Sequence, residues 1–210
     1  MNQFYFFLVP NIVFDNDCLN IKEDYLLVQL YRWRDYHTHI ASPGIDKMIK
    51  YLEVSERTVR RYLKKLEDYD FIEKSKVRNG RDKYKLKVIP DLDKGNYTIL
   101  SLYDASDLEG NMYQKMIYFH MCRLANEDNE CIVSLRRLRE RVKCNNKVFL
   151  KEFNSLKKSG LVVPVGKGTR GDEFGMCKFE DTIRYKVENY GLNSTLTELM
   201  NQVDENYGKK

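Results

Sequence analysis

Apolar residues recur along the first part of the chain at two different periods. Between Lys22 and Tyr36, Tyr25, Leu26, Leu30 and Trp33 fall at helical spacing, which predicts an amphipathic helix. A short extended piece, Thr38 to Ala41, leads to Ser42-Pro43, where Ser suits a cap and Pro the first helical position. Ile45, Met48, Ile49 and Leu52 then mark a helix ending around Glu53, and Ser55 caps a third. In that third helix Val59, Tyr62, Leu63 and Leu66 make one stripe, and Arg57, Arg61, Lys64 and Asp68 make the opposite face. After Asp70 the period becomes extended: Phe71 to Val77 and Asp82 to Val88 flank Arg78-Asn79-Gly80-Arg81. Asn-Gly is the signal of a type I′ hairpin, whose central residues need positive φ.

The same pattern returns at an offset of 90 residues, which sets Ile45 on Leu135, Met48 on Leu138, Leu52 on Val142, Leu63 on Phe153, Leu66 on Leu156 and Phe71 on Leu161. Two copies of one small domain are therefore expected, although the first helices register less cleanly. In the second copy, Asn111 to Ala125 predicts the first helix, Ser134 caps a second that runs to Val142, and Asn145 or Asn146 starts a third that ends at Gly160. Leu161 to Pro164 leads a second hairpin with its tip at Gly166 to Gly171, and Phe174 to Phe179 returns. Thr195 and Glu198 form a capping-box pair ahead of Leu196, Leu199, Met200 and Val203, at the spacing of an amphipathic C-terminal helix. Its apolar face fits either a dimer contact or a return onto the second copy. The expected domains are 1–95, 96–185, and a helix and tail at 186–210.

Composition narrows the function classes. The chain has 210 residues, 42% hydrophobic and 32% charged with only 4 Pro, the profile of a globular protein of one or two domains. Its longest apolar stretch, Phe4 to Pro10, is far short of the roughly 20 residues a membrane helix needs. No secretory pattern follows Met1, so a cytoplasmic location and no membrane partner are expected. The 5 cysteines are scattered without a C-x-x-C pair, as reduced thiols are. His37-x-His39 lacks a companion ligand cluster, and Gly166-x-Gly168-x-x-Gly171 precedes no helix, so neither a metal nor a dinucleotide is expected. With no nucleophile elbow, Walker loop or paired carboxylates, the expectation is a non-enzyme with no cofactor and no identified small molecule.

Charge is more telling where it is concentrated. The whole chain carries a net +5, but Val54 to Lys87 alone holds twelve basic against six acidic residues, a net +6. A helix presenting Arg57, Thr58, Arg61 and Lys65 fits a major groove, where Arg bridges guanine O6 and N7. The basic hairpin beside it supplies phosphate contacts. The run Leu52-Glu53-Val54-Ser55-Glu56-Arg57-Thr58-Val59-Arg60-Arg61-Tyr62-Leu63-Lys64-Lys65-Leu66, followed by Phe71-Ile72, resembles the winged-helix family of DNA-binding domains.

An α+β, mainly helical fold of tandem winged helix-turn-helix domains is thus expected, with three helices and a hairpin wing in each. Arg57, Thr58, Arg61, Lys147 and Lys151 are the candidate base readers. Ser42, Ser55, Arg60, Lys64, Lys65, Lys74, Lys76, Arg78, Arg81, Lys83, Arg136, Arg137, Lys167 and Arg170 are the candidate phosphate contacts. Whether the second copy binds DNA or mainly protein stays open, since Val148 and Ser155 stand where the first has Thr58 and Lys65. The expected partner is double-stranded DNA, and a homodimer is the expected assembly. A transcription regulator of a bacterium or mobile element is the leading expectation. The Phe7-Leu8-Val9-Pro10-Asn11 lead-in looks like that of plasmid and phage replication initiators, which makes an initiator the alternative; a protein-interaction adaptor is the second.

Overall fold

The computed structural model describes residues 6–77, 80–91, 94–101, 110–126, 128–167 and 182–187. Two strands, β1 (Phe6–Pro10) and β5 (Tyr97–Ser101), pair in a two-stranded sheet. A short helix, α1 (Ile12–Asp15), follows β1. Asn11 ties this region together: its N–H donates to the Asn96 carbonyl at 3.1 Å, and its Oδ1 accepts from the Thr98 hydroxyl at 2.8 Å. The chain divides into two compact units, Leu8–Thr98 and a second that takes in Phe6, Phe7 and the described residues from Ile99 onward.

In the first unit, α2 (Ile21–Trp33) is the central helix, with Ile21 and every residue from Glu23 to Tyr31 buried. Its start is a capping box: the Asn20 side chain accepts from the Lys22 and Glu23 N–H groups, and Glu23 Oε2 accepts from the Asn20 N–H at 2.8 Å. The helix ends at Trp33, short of the expected Tyr36, because Asp35 offers the backbone a competing turn. Its carboxylate accepts from both the N–H and the hydroxyl of Thr38, its carbonyl accepts from the His39 N–H at 2.9 Å, and His39 takes a left-handed φ of 55°. These bonds hold the Asp35 carboxyl below the usual carboxylate range.

Strand β2 is only Ile40–Ala41, and α3 (Ile45–Leu52) has Gly44 as its N-cap with no side-chain bond. The cap expected at Ser42 thus lies two residues later, with Pro43 still outside the helix. Glu53, at φ 53°, ends α3. Ser55 caps α4 (Glu56–Asp68), which closes in a Schellman arrangement: the Phe71 N–H reaches the Leu66 carbonyl and the Asp70 N–H the Glu67 carbonyl, with Asp70 left-handed. Strands β3 (Ile72–Ser75) and β4 (Lys83–Leu86) follow, in an antiparallel sheet of order β2-β4-β3. The last pair is Ser75↔Lys83, so residues 76–82 form the connection, longer than a two-residue Asn-Gly turn; Asn79 lies outside the described residues.

The second unit repeats this order. Helices α5 (Met112–Leu124), α6 (Leu135–Val142) and α7 (Asn146–Lys158) are capped by Asn111, Ser134 and Asn145, each through its side-chain oxygen. Strands β6 (Glu130–Ser134), β7 (Val162–Lys167) and β8 (Thr182–Val187) form a sheet of order β6-β8-β7. The return strand is therefore Thr182–Val187; Phe174 to Phe179, expected in that role, lie outside the described residues, as does the C-terminal helix expected at Leu196, Leu199, Met200 and Val203. Left-handed residues also recur in pairs: His39 with Asn129, Glu53 with Lys143, and Asp70 with Gly160. The first helices are displaced by one residue more than the rest, since the turn after Trp33 is one residue longer than that after Leu124.

Among the described residues no helix is long and apolar enough to cross a membrane. In the first core Tyr25, Leu26, Leu30, Val59 and Leu66 are at most 1% exposed; in the second, Phe149 and Phe153 stack at 5.7 Å and Tyr185 meets Phe153 edge-on at 5.1 Å. Leu66→Ala should lower unfolding free energy by about 2–5 kcal/mol in urea titration. Lys64→Ala, on the exposed face, should change it by less than about 0.5 kcal/mol.

Candidate nucleic-acid interface

Helix α4 buries Val59, Tyr62, Leu63 and Leu66, and at 100° per residue this leaves Arg57, Arg61 and Lys64 facing outward. None of the three has an acidic partner among the described residues. Arg60 is also exposed, but both its Nε and Nη2 lie on the Glu56 carboxylate, at 2.8 and 2.6 Å. Thr58 is half-buried at the helix start: Ser55 Oγ accepts from its N–H at 3.4 Å and lies 3.0 Å from its hydroxyl. Ser55 and Thr58 thus serve the cap first.

Lys65 is placed differently from its neighbour Lys64. Its ammonium donates to Glu23 Oε2 at 2.7 Å, and the same carboxylate oxygen closes the capping box of α2. The Glu23 side chain is 6% exposed, so the pair sits at the edge of the core and its hydrogen bond raises the Lys65 pKa. Lys65, grouped by sequence with the outward cations, joins two helices instead. Glu23 lies 42 residues away, and no local pattern points to it.

The hairpin carries a second set of cations. Lys76, Arg81, Lys83 and Lys85 are exposed, and Ser42 is exposed at the end of β2. Lys74 is engaged with Asp82 at 2.7 Å and lies 5.9 Å from the Tyr84 ring. Arg78 lies outside the described residues. Arg81 stands beside Gly44, at the start of α3. Three residues after Gly44, Lys47 sits 4.6 Å from the Trp33 ring; partial burial, and then Arg32 and Arg81, lower its pKa. Lys47 and Lys85 were not among the candidate phosphate contacts, although Lys85 belongs to the basic run between Val54 and Lys87.

In the second unit, Lys147 and Lys151 occupy the outward face of α7 and Arg136 and Arg137 that of α6. Acidic neighbours blunt two of these: Lys151 is 3.4 Å from the Glu152 carboxylate and Arg136 3.1 Å from Glu140. Of the Lys167 side chain and of Arg170 nothing is described. Burial pushes the Cys131 thiol up to about 12 and that of Cys144 up to about 11, which keeps both protonated and unreactive at neutral pH. Among the described residues no three His, Cys, Asp or Glu side chains are placed to hold a metal.

No protein-family model matches the chain, and no curated protein matches it.

The double role of Glu23 is open to measurement. Glu23→Ala should cost about 1–3 kcal/mol, through loss of the cap bond and the ion pair, and Glu23→Gln less, since the amide oxygen still accepts from the Asn20 N–H. A Glu23→Gln/Lys65→Met cycle in urea should show coupling of about 0.5 kcal/mol or more. Coupling near zero would return Lys65 to the outward cations.

Proposed function

We propose that the chain is a sequence-specific double-stranded DNA-binding protein made of tandem winged-helix domains, a cytoplasmic transcription regulator of a bacterium or mobile element. One observation carries this reading: Arg57, Arg61 and Lys64 project from a helix held rigidly by its buried stripe, beside a hairpin that exposes Lys76, Arg81, Lys83 and Lys85. Helix α4 enters the major groove, Arg57 and Arg61 meet base edges, and Lys64 and the hairpin cations take phosphates on either side. Ser55 and Thr58 contribute by fixing the start of the helix, whose N–H groups favour a phosphate. Lys147, Arg136 and Arg137 give the second unit a weaker grip on the same duplex. A homodimer joined through Leu196, Leu199, Met200 and Val203 would double the site.

A replication initiator is the second reading. It is favoured by the recurrence of one element order at a fixed offset, which suits a protein that reads two successive sites. The position of bound sites relative to promoters or an origin separates the two.

Selection of bound genomic fragments with the full chain should recover a defined motif. Arg57→Ala or Arg61→Ala should relax one position of it and cost about 1–3 kcal/mol. Arg81→Ala should instead weaken all sequences alike and reduce the slope of log affinity against log salt by about one. Recovery of no motif, together with an unchanged salt slope, would favour a protein-binding adaptor.

A further inference from the structure

Cations collect where α2 ends beside α3. Trp33, the last residue of α2, and Tyr51, in the last turn of α3, meet edge-on with ring centroids 5.2 Å apart. Two cations lie against this pair: the Lys47 ammonium is 4.6 Å from the Trp33 ring, and the Arg32 guanidinium carbon is 5.5 Å from the Tyr51 ring. Arg32 is anchored through one nitrogen, since Nη1 donates to the Tyr51 hydroxyl at 3.4 Å and to Gln29 Oε1 at 3.3 Å. Its Nε and Nη2 make no hydrogen bond among the described residues, and neither is shut away from solvent. A third cation comes from the hairpin. Arg81 is exposed, and a methyl group added at Gly44, the N-cap of α3, would lie 3.7 Å from its Nε. Lys47 is one helical turn further on, its N–H donating to the Gly44 carbonyl at 3.1 Å.

No carboxylate pairs with Arg32, Lys47 or Arg81 among the described residues, and Asp82, next to Arg81, is taken by Lys74 at 2.7 Å. Three cations from α2, α3 and the hairpin thus share one region of the first unit with no anion between them. Partial burial, and then the like charges of Arg32 and Arg81, hold Lys47 below the usual lysine range. Such crowding is unfavourable by itself and is relieved when an anion enters. The two rings hold Lys47 and Arg32 in place beforehand, so little ordering is left for binding. The arrangement is peculiar to the first unit. The bridges Arg34↔Ala41 and Ala125↔Cys131, which follow the first helix of each repeat, set Arg32 on Arg123 and Trp33 on Leu124. The 90-residue offset sets Lys47 on Arg137, Tyr51 on Arg141 and Arg81 on Gly171, so neither ring and not the third cation has a counterpart.

We propose that Arg32, Lys47 and Arg81 together seat one backbone phosphate of the bound DNA duplex, with Trp33 and Tyr51 holding the first two cations in position. A phosphate suits donors that arrive from three elements, because its oxygens accept charge-assisted hydrogen bonds on several sides. Lys47 and Arg81 are exposed, so the seat lies open at the surface, as a contact to a polymer backbone requires, and does not enclose a small anion. The inference rests on the DNA-binding reading and adds to it Arg32 and Lys47, which that reading leaves unused.

Trp33 is the only tryptophan of the chain, so its emission reports on the seat directly. The full chain is titrated with a mixed-sequence DNA duplex at several salt concentrations, and in parallel with inorganic phosphate. A saturable change of emission is expected with the duplex, and none with inorganic phosphate at the same phosphorus concentration. Lys47→Met should reduce the slope of log affinity against log salt by about 0.9, the loss of one phosphate contact, while Lys47→Arg keeps it. Lys94→Met removes the same charge from an ion pair with Asp91 and should leave the slope unchanged. Arg32→Met should act as Lys47→Met does; Lys47 is exposed, so its variants decide the matter even if the half-buried Arg32 is needed for folding. Duplex binding by Lys47→Met with the affinity and slope of the unaltered chain would overturn the seat and leave the DNA-binding reading standing. No duplex binding by the unaltered chain would overturn both. Trp33 emission that stays constant at saturating duplex, or that responds equally to inorganic phosphate, would overturn the seat as well.

Discussion

Everything on the outer face of α4 depends on how its inner face is held. Val59, Tyr62, Leu63 and Leu66 pack into the first core, and α2 is buried on nearly all its sides. Helical geometry then leaves no freedom: residues 100° to 200° away from the buried stripe must point outward, and in this helix those are Arg57, Arg60, Arg61 and Lys64, with Asp68 at its last turn. Apolar burial thus positions charges that contribute nothing to the core. The Glu23–Lys65 ion pair reinforces the placement, because one carboxylate both caps α2 and holds α4 beside it.

The two units solve the same packing problem with different side chains. Both use a side-chain cap at each helix start except α1 and α3, a left-handed residue between the second and third helices of the repeat, and a sheet in which the last strand lies between the other two. Their outward chemistry diverges. In the first unit Arg57 and Arg61 project with no acidic partner among the described residues, whereas in the second Glu140 and Glu152 draw off part of the charge on Arg136 and Lys151. Burial constrains the inner stripe of each helix and leaves the outer one open to change.

Hydrophobic periodicity was enough to locate the helices. The stripes at Ile45 to Leu52, Val59 to Leu66 and their counterparts 90 residues on predicted α3, α4, α6 and α7 with boundaries close to those observed, because each has one wet face and one dry face. Caps at Ser55 and Ser134 were legible for a similar reason: the bond they make is to a backbone group only three residues away. The end of α2 was not legible, as apolar spacing continues past Trp33 while Asp35 turns the backbone aside. The return strand of the second sheet was misplaced because strand partners are chosen across a connection whose length periodicity does not reveal.

The sequence by itself determined the mixed helix and strand order, the internal repeat, and the concentration of positive charge between Val54 and Lys87. These are properties of nearest neighbours and of period, so they survive without a fold. Tertiary structure alone decided which cations face outward and which are consumed within: Lys64 is exposed while Lys65 is bound to Glu23, and Lys74 is bound to Asp82. It also brought Lys47 to the Trp33 ring and Arg81 to Gly44, from separate parts of the chain. The physical reason is the same in each case, since a charge takes its meaning from the groups within a few ångströms of it, and folding brings those groups from distant parts of the chain.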